Sequence, residues 1–377
     1  MKRVLVAGAG PVGLSAAAAL HAAGVPVTVL EAEPRLPENL RASTFQPPTL
    51  DLLERFGAAQ KLIDMGRIAR KVQYRDRAGW VAELDFGVLA HDTKHPYRVQ
   101  CEQFRLNQVL AALLPDVRYG AEVAGVAQDA DGVTVTLASG ESLGGEYLIG
   151  ADGARSRVRE AIGIALEGFT WPERFLVAST PFAFEKVIAG LCDVSYFADP
   201  QEWFFLLRVR DVWRVMFPTR AEEADDAILS DAAIQARLQR VHPGVEYEIV
   251  HRTLYSVHQR VAQTYRNGRV FLAGDAAHLN NPLGGMGMNG GIHDAFNLAQ
   301  KLLSGDLDAY ERQRRPVALE YVNTITIANK RNLEMRDADA QRRWRAELER
   351  AMADRAAERE YMLKISMIAS LRKYECA

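Results

Sequence analysis

KRVLVAGAGPVGLSAAAALHAAGVPVTVLE, residues 2–31, decides the fold. Lys2–Ala7 reads as a short apolar strand and Gly8-Ala9-Gly10-Pro11-Val12-Gly13 as a GxGxxG turn. Leu14–Ala23 reads as an alanine-rich helix, and Val25–Leu30 as a second strand closed by Glu31. In that order the parts make a dinucleotide-binding unit. The glycines allow a tight turn and close approach of a pyrophosphate to a helix N-terminus, and the acidic residue can hold a ribose hydroxyl. A glycine-rich turn of an ordinary α/β protein would have no need of Glu31. The expectation is an adenosine-diphosphate site built from Gly8, Gly10, Pro11, Val12, Gly13 and Glu31.

Two further apolar runs end in glycine and a carboxylate. In GRVFLAGDAAHLNNPLGGMGMNGG, residues 268–291, Val270–Ala273 fits a buried parallel strand and Gly274-Asp275 breaks it at a crevice. Gly284, Gly285 and Gly287 would let backbone amides approach a flat ring or a phosphate. A helix from about Asn289 would point its free N–H groups at the same place, which suits an anion. Glu146–Ile149 is another such strand, and Gly150-Ala151-Asp152-Gly153 delivers a second carboxylate to a strand end.

The 377 residues suggest roughly two domains. The net charge of −2, with no basic block outside the C-terminal tail, argues against nucleic acid or an anionic membrane as partner. Cys101, Cys192 and Cys376 are scattered without ligand spacing, so neither a disulfide scaffold nor a metal site is expected. The sequence opens on a strand and has no apolar run long enough to span a bilayer, so a cytoplasmic location is expected.

Between the motifs, residues 32–48 are too rich in proline and charge for regular structure, and Arg41 there is a candidate phosphate or cofactor contact. Thr49–Phe56 reads as a helix. Val72–Phe86 turns to short alternating strands around Arg77-Ala78-Gly79, an excursion from the nucleotide-binding part. An amphipathic helix follows Val99, with Gln103 and Arg105 in its first turn, where polar groups can meet a cofactor. Val117–Ala127 and Gly132–Leu137 are strand-like. Asp193–Pro218 alternates strongly, with Tyr196, Phe205 and Trp213 among its apolar positions, as antiparallel strands lining a ring-shaped ligand would. A sheet covering an ordinary core reads the same, and for any one residue the core has the better claim. Arg208 and Arg214 break the pattern; either could meet a substrate carboxylate or face solvent. Asn332–Arg359 is charged and helical, with Trp344, Leu348 and Met352 in a stripe that would pack on the body or on a second subunit of a homodimer.

The segments GAGPVG, LIGADGARSRVR and GRVFLAGDAAHLNNPLGGMGMNGGIHDAFNLAQKL resemble, in order and spacing, the three signature motifs of the group A, single-component FAD-dependent aromatic hydroxylases. This is the family of para-hydroxybenzoate hydroxylase, and the resemblance covers about residues 1–325. It implies an α/β protein: a Rossmann-type FAD-binding domain from residues 1–70, 98–168 and 252–325, an inserted antiparallel-sheet substrate domain from 71–97 and 169–251, and C-terminal helices over 326–377. Gly8, Gly10, Gly13 and Glu31 would bind the ADP part of FAD, with Arg41 and Gln103 beside them. Asp152 would serve FAD and reduced nicotinamide, and Asp275 the ribityl chain. Pro282 and the loop of Leu283, Gly284, Gly285, Gly287, Met288 and Asn289 would lie against the isoalloxazine. Gly290 stands where many relatives carry Thr, which touches one local contact.

The resemblance further implies that NADH or NADPH reduces FAD, that O2 adds to the reduced flavin, and that the hydroperoxide hydroxylates a small phenolic acid or hydroxypyridine. Tyr196, Phe205 and Arg208 are the candidate substrate contacts. The group that deprotonates the substrate is open among Tyr196, Tyr74, His91, His95 and His258, with Tyr196 preferred for its place in the ligand sheet. The rival readings are a reductase or a quinone-pathway hydroxylase of the same fold acting on a non-phenolic substrate. A halogenase fits less well, because Trp171-Pro172-Glu173 does not match that group's WxWxIP signature.

Overall fold

The computed structural model describes residues 1–38, 40–76 and 78–374. Arg77, part of the expected turn, and Cys376 lie outside the described residues. The apolar runs Val4–Ala7, Val27–Leu30, Tyr147–Gly150 and Val270–Leu272 form adjacent parallel strands of a six-stranded sheet. Their near-continuous hydrophobicity is what a sheet covered on both faces requires.

Register places the ligand-facing ends level. Ala7 pairs with Gly150, and Gly150 with Leu272, so the turns at Gly8, Asp152 and Asp275 leave the sheet side by side. The helix Pro11–Ala22 starts three residues earlier than its composition suggests, because proline is well suited to the first helical position. It packs on the helix Gly287–Ser304, which likewise begins before Asn289. That packing is close: a Cβ on Gly291 would stand 2.6 Å from Val12 Cγ2, and one on Gly13 would stand 2.0 Å from the Gly8 carbonyl oxygen.

The second layer is an eight-stranded sheet. Its order is His278–Leu279, His251–Ala262, Leu166–Thr180, Val212–Pro218, Phe204–Val209, Val194–Ala198, Lys71–Asp76 and Gly79–Asp85. The early excursion and the later alternating segment therefore share one sheet, joined where Val194–Ala198 runs parallel to Lys71–Asp76 and Tyr196 pairs with Tyr74. The expected single strand Val117–Ala127 is instead two: Val117–Arg118 closes the parallel sheet, and Val123–Gln128 enters a separate three-stranded sheet with Val133–Leu137 and Ser142–Gly145. The expected helix from Thr49 is Pro47–Leu53 continued by a tighter turn over Glu54–Phe56.

The two faces of the large sheet bury different clusters. One holds Tyr74, Tyr196, Phe205, Leu207 and Met216, and is covered by Trp344, Leu348, Met362 and Ile365 of the helices Ala338–Met352 and Arg355–Ile365. The other holds Leu206, Trp213, Val215 and Phe217 under the helix Asp231–Val241. The C-terminal stripe thus packs on the chain's own aromatic face, with the Trp344 ring edge-on to Tyr74 at 5.9 Å. Among the described residues no helix is long and apolar enough to cross a membrane.

Candidate active site

At the parallel-sheet end, Glu31 accepts hydrogen bonds from the Ala9 N–H at 2.7 Å and the Glu33 N–H at 3.0 Å, which fixes the glycine turn against the second strand. Gly8 has φ +100°, and a Cβ there would stand 2.4 Å from the Ala151 carbonyl oxygen. Only glycine satisfies both demands. Gly10 has open space where its Cβ would be, as an approaching ligand needs.

Asp152 accepts from the Ser156 hydroxyl and from the Val158 N–H at 3.1 Å, capping the short helix Arg157–Ala161. Burial raises its pKa. Asp275 has solvent access at its strand end, yet the protein packed around its carboxyl raises its pKa, against the lowering charges of His278 and Arg41. Arg159 donates to the carbonyls of Ala276 and Ala154, clipping these two strand ends together.

Sequence reasoning missed what holds this edge. Asp294 is buried and takes Arg314 Nε at 2.6 Å, His278 Nε2 at 2.8 Å and the Gly274 N–H at 3.1 Å, so one carboxylate clamps the turn that presents Asp275. Burial opposes its ionisation, but Arg314 and His278 outweigh that and hold its pKa below the ordinary value. The spacing of Asp294 to Arg314 gave no sign of this, since the contact depends on how two helices meet.

The glycine loop is tied by three side-chain amides. Asn289 Oδ1 accepts from the Gln46 N–H at 2.9 Å, while its Nδ2 donates to the carbonyls of Thr44 at 2.8 Å and Gly285 at 2.7 Å. Gln46 Nε2 donates to the Gly284 carbonyl at 2.9 Å, and Asn329 Nδ2 to that of Leu283 at 3.0 Å. Asn289 therefore shapes the loop from behind. The neighbouring strand supplies Gln100, fully buried, whose Oε1 accepts from Thr44 at 2.8 Å and whose Nε2 has no partner among the described residues. An orphaned buried donor costs ~1–3 kcal/mol unless something pairs with it. Gln100, three residues before Gln103, is thus the polar group here that calls for a ligand.

On the aromatic face, Tyr196 is stacked between Tyr74, at 5.5 Å, and Phe205, at 4.6 Å between ring centroids. Burial pushes its pKa up to about 12, against the lowering influence of the Arg98 guanidinium and the Gly284 backbone. The histidine candidates lie in other settings. His95 pairs with Asp51 at 2.8 Å, His258 Nδ1 sits 2.9 Å from the Thr170 hydroxyl, and His91 is exposed.

Arg208 is not brought to this face. Strand alternation turns it with Leu206 to the opposite side, where it lies 3.9 Å from Glu185 and over the Trp213 ring at 5.6 Å. Arg214 is on the Tyr196 side, donating to the Arg41 carbonyl at 2.9 Å and the Ser43 hydroxyl at 3.2 Å. It lines a cavity of about 270 Å³ with Glu102, Arg105 and His251. Of the two arginines that break the alternation, Arg214 is the one that shares the Tyr196 side of the sheet. Cys101 and Cys192 are free thiols, pushed up to about 11 and about 12, chiefly by burial. The described residues contain no cluster suited to a metal ion.

Residues 1–324 match the model of the FAD binding domain family. The chain is 36% identical to para-nitrophenol 4-monooxygenase of Pseudomonas sp. strain WBC-3, over 99% of this chain and 97% of that protein. It is 34% identical to 6-hydroxy-3-succinoylpyridine 3-monooxygenase HspB of Pseudomonas putida strain DSM 28022 / S16, over 88% and 89%. The crystal structure of p-nitrophenol 4-monooxygenase PnpA from Pseudomonas putida DLL-E4 superposes with a TM-score of 0.90 at 32% identity, covering 98% of this chain and 99% of that one. With the glycine turn, the two strand-end carboxylates and the orphaned Gln100 amide all suited to FAD, the chain belongs to the family of FAD-dependent aromatic monooxygenases with the para-hydroxybenzoate hydroxylase fold.

Proposed function

We propose that the protein hydroxylates a small phenol or hydroxypyridine, consuming one NAD(P)H, one proton and one O2 and releasing NAD(P)+, water and the hydroxylated ring. The observation that carries this is the position of the loop Pro282–Gly287. It leads into the helix Gly287–Ser304, which packs on the helix of the glycine turn, while the Gly284 backbone acts on the Tyr196 hydroxyl of the aromatic face. One loop thus borders both the FAD-binding edge and a sheet of stacked rings.

FAD, when bound, supplies the redox chemistry: it accepts a hydride from the nicotinamide and activates O2 for transfer. The rest falls to the chain. Glu31 and the Gly8–Gly13 turn hold the adenosine end, Asp275 a hydroxylated chain, and Gln100 a polar edge of the ring system. Free N–H groups at the start of the helix Gly287–Ser304 favour negative charge beside Gly284 and Gly285. Asp152 orders the adjoining segment where the nicotinamide would approach. Tyr196, protonated at neutral pH, acts as a proton relay to the substrate oxygen and not as a resident base. Pro282, with Leu283 buried beside it, shapes the contact surface, and Phe205 stacks behind the relay. The division of labour is residues 1–70, 98–168 and 252–325 for FAD, 71–97 and 169–251 for substrate, and the C-terminal helices as the cover over the aromatic face, with the strands His251–Ala262 and His278–Leu279 of the FAD part completing the large sheet.

Stopped-flow reduction of the FAD-loaded protein by NADH and by NADPH, across phenols, benzoates and hydroxypyridines, tests this. One aromatic class accelerating reduction by more than tenfold is the expected result. Reduction unaffected by every aromatic would reject the reading in favour of a reductase.

A further inference from the structure

Strand register sets three polar residues in one row across the large sheet. Ser179 pairs with Arg214 on one side and with His251 on the other, so all three share a face. The next row along that face runs through Phe205, Met216 and Val177, and Phe205 is the ring stacked on Tyr196. Residues two apart on a strand are separated by roughly 7 Å. The polar row therefore begins where an aromatic ring lying over Phe205 and Met216 would end.

The chain's own groups do not close this row. Ser179 is 2% exposed, and its hydroxyl has no hydrogen-bond partner among the described residues. Arg214 is 7% exposed and forms no ion pair among the described residues. Its bonds to the Arg41 carbonyl and the Ser43 hydroxyl both use Nη1, so Nε and Nη2 make no hydrogen bond among the described residues. Two such donors match the two oxygens of a carboxylate. Burial and the Arg214 charge lower the pKa of His251, which leaves the guanidinium as the cation of the row at neutral pH.

All three residues line the cavity of about 270 Å³. Arg210, 3.7 Å from Asp211, lines it too, as do Arg105 and Glu102, so three arginines meet two carboxylates and one positive charge is left over. A carboxylate fixed directly to the ring would take up about the space of one or two water molecules, roughly 30 Å³ each. The cavity thus has room for a chain between ring and acid.

Resting on the hydroxylase reading above, we propose that Arg214, Ser179 and His251 form a subsite for a carboxylate at the end of a short flexible arm of the aromatic substrate. The roughly 7 Å between rows suits an arm of about two or three carbons. Arg214 takes both carboxylate oxygens, Ser179 donates to one of them, and His251 walls the arm. A ring without an acid leaves the guanidinium edge and the buried hydroxyl unpaired, at a cost in affinity. A phosphate of the nicotinamide dinucleotide shares the anionic chemistry, but the row lies on the face of the sheet that carries the stacked rings, which favours the substrate.

The test is a flavin-fluorescence titration of the FAD-loaded protein with 4-hydroxybenzoate, 4-hydroxyphenylacetate, 3-(4-hydroxyphenyl)propionate and 4-(4-hydroxyphenyl)butyrate, each beside its neutral primary amide. The propionate should bind at least about tenfold tighter than its amide, and the benzoate less than about threefold tighter than its own. Ser179→Ala should cut the propionate's preference about threefold and leave the amides unchanged. Arg214→Met should abolish the preference, and Arg214→Lys, a point charge without the fork, should keep part of it. If Arg214→Met does not retain FAD, the wild-type series and Ser179→Ala decide the matter by the same readout. Acids and amides binding equally at every arm length would overturn the subsite and leave the hydroxylase reading standing. So would a Ser179→Ala protein that keeps the full acid preference while its Michaelis constant for NADH or NADPH rises, since the cavity would then belong to the dinucleotide. If no phenol or hydroxypyridine bound at all, both readings would fall.

Discussion

The end of the parallel sheet and the aromatic face of the large sheet are built by opposite means. The first is assembled from three short segments in which backbone geometry dictates the residue: Gly8 at φ +100° against Ala151, Gly13 against Gly8, and Gly291 against Val12. The second is assembled from side chains that meet only through long-range pairing, with Tyr196 opposite Tyr74 and Trp344 set edge-on to Tyr74 from a helix near the C-terminus. A site fixed by backbone constraints tolerates little change but can be located from its pattern. A site fixed by packing can change its occupant while the fold persists.

Substitutions at four positions probe that contrast, beginning with the costliest. Asp294→Ala leaves Arg314 buried without its carboxylate and should lower the unfolding free energy by ~3–5 kcal/mol, measured by urea denaturation. The same carboxylate has a pH signature. Because its folded pKa lies below the unfolded one, its contribution is present above the ordinary carboxylate range, near pH 4, and lost as pH falls through the folded value. The acid limb of the stability profile should therefore be shallower in Asp294→Asn than in the wild type.

Gly13→Val places side-chain atoms where the Gly8 carbonyl stands and should reduce FAD affinity by a few hundredfold, ~3 kcal/mol, in a fluorescence titration. Tyr196→Phe should leave FAD affinity within twofold yet slow hydroxylation by roughly a hundredfold, the low end for a lost proton relay. A parallel fall in FAD affinity would break the separation of the two regions. Arg208→Ala should change the Michaelis constant for the aromatic less than twofold, because that side chain belongs to the far face. A tenfold change would place the substrate on the wrong side of the sheet here.

The same contrast explains what the sequence disclosed. Gly8–Gly13, Glu31, Asp152 and Asp275 were legible because tight turns and strand ends restrict residue choice locally, and their order resembled a family whose membership the relatives bear out. The alternation over Asp193–Pro218 announces a sheet but not which arginine shares a face with Tyr196: Arg208 turns to the Glu185 side and Arg214 to the Tyr196 side. Gln100 was hidden for a further reason. In a strand flanked by apolar residues a polar side chain signals little until its missing partners can be counted. The network of Asp294, His278 and Arg314 needed two helices and a turn to be brought together before it had any meaning.

The central claim is that the two regions work on one molecule of O2 across the loop Pro282–Gly287. Running the reaction of the FAD-loaded wild type with NAD(P)H and its best aromatic under oxygen-18 gas addresses this directly. The account predicts a hydroxylated ring carrying one labelled oxygen for each NAD(P)H oxidised. Unlabelled product, or NAD(P)H consumed with the aromatic recovered unchanged, would contradict it.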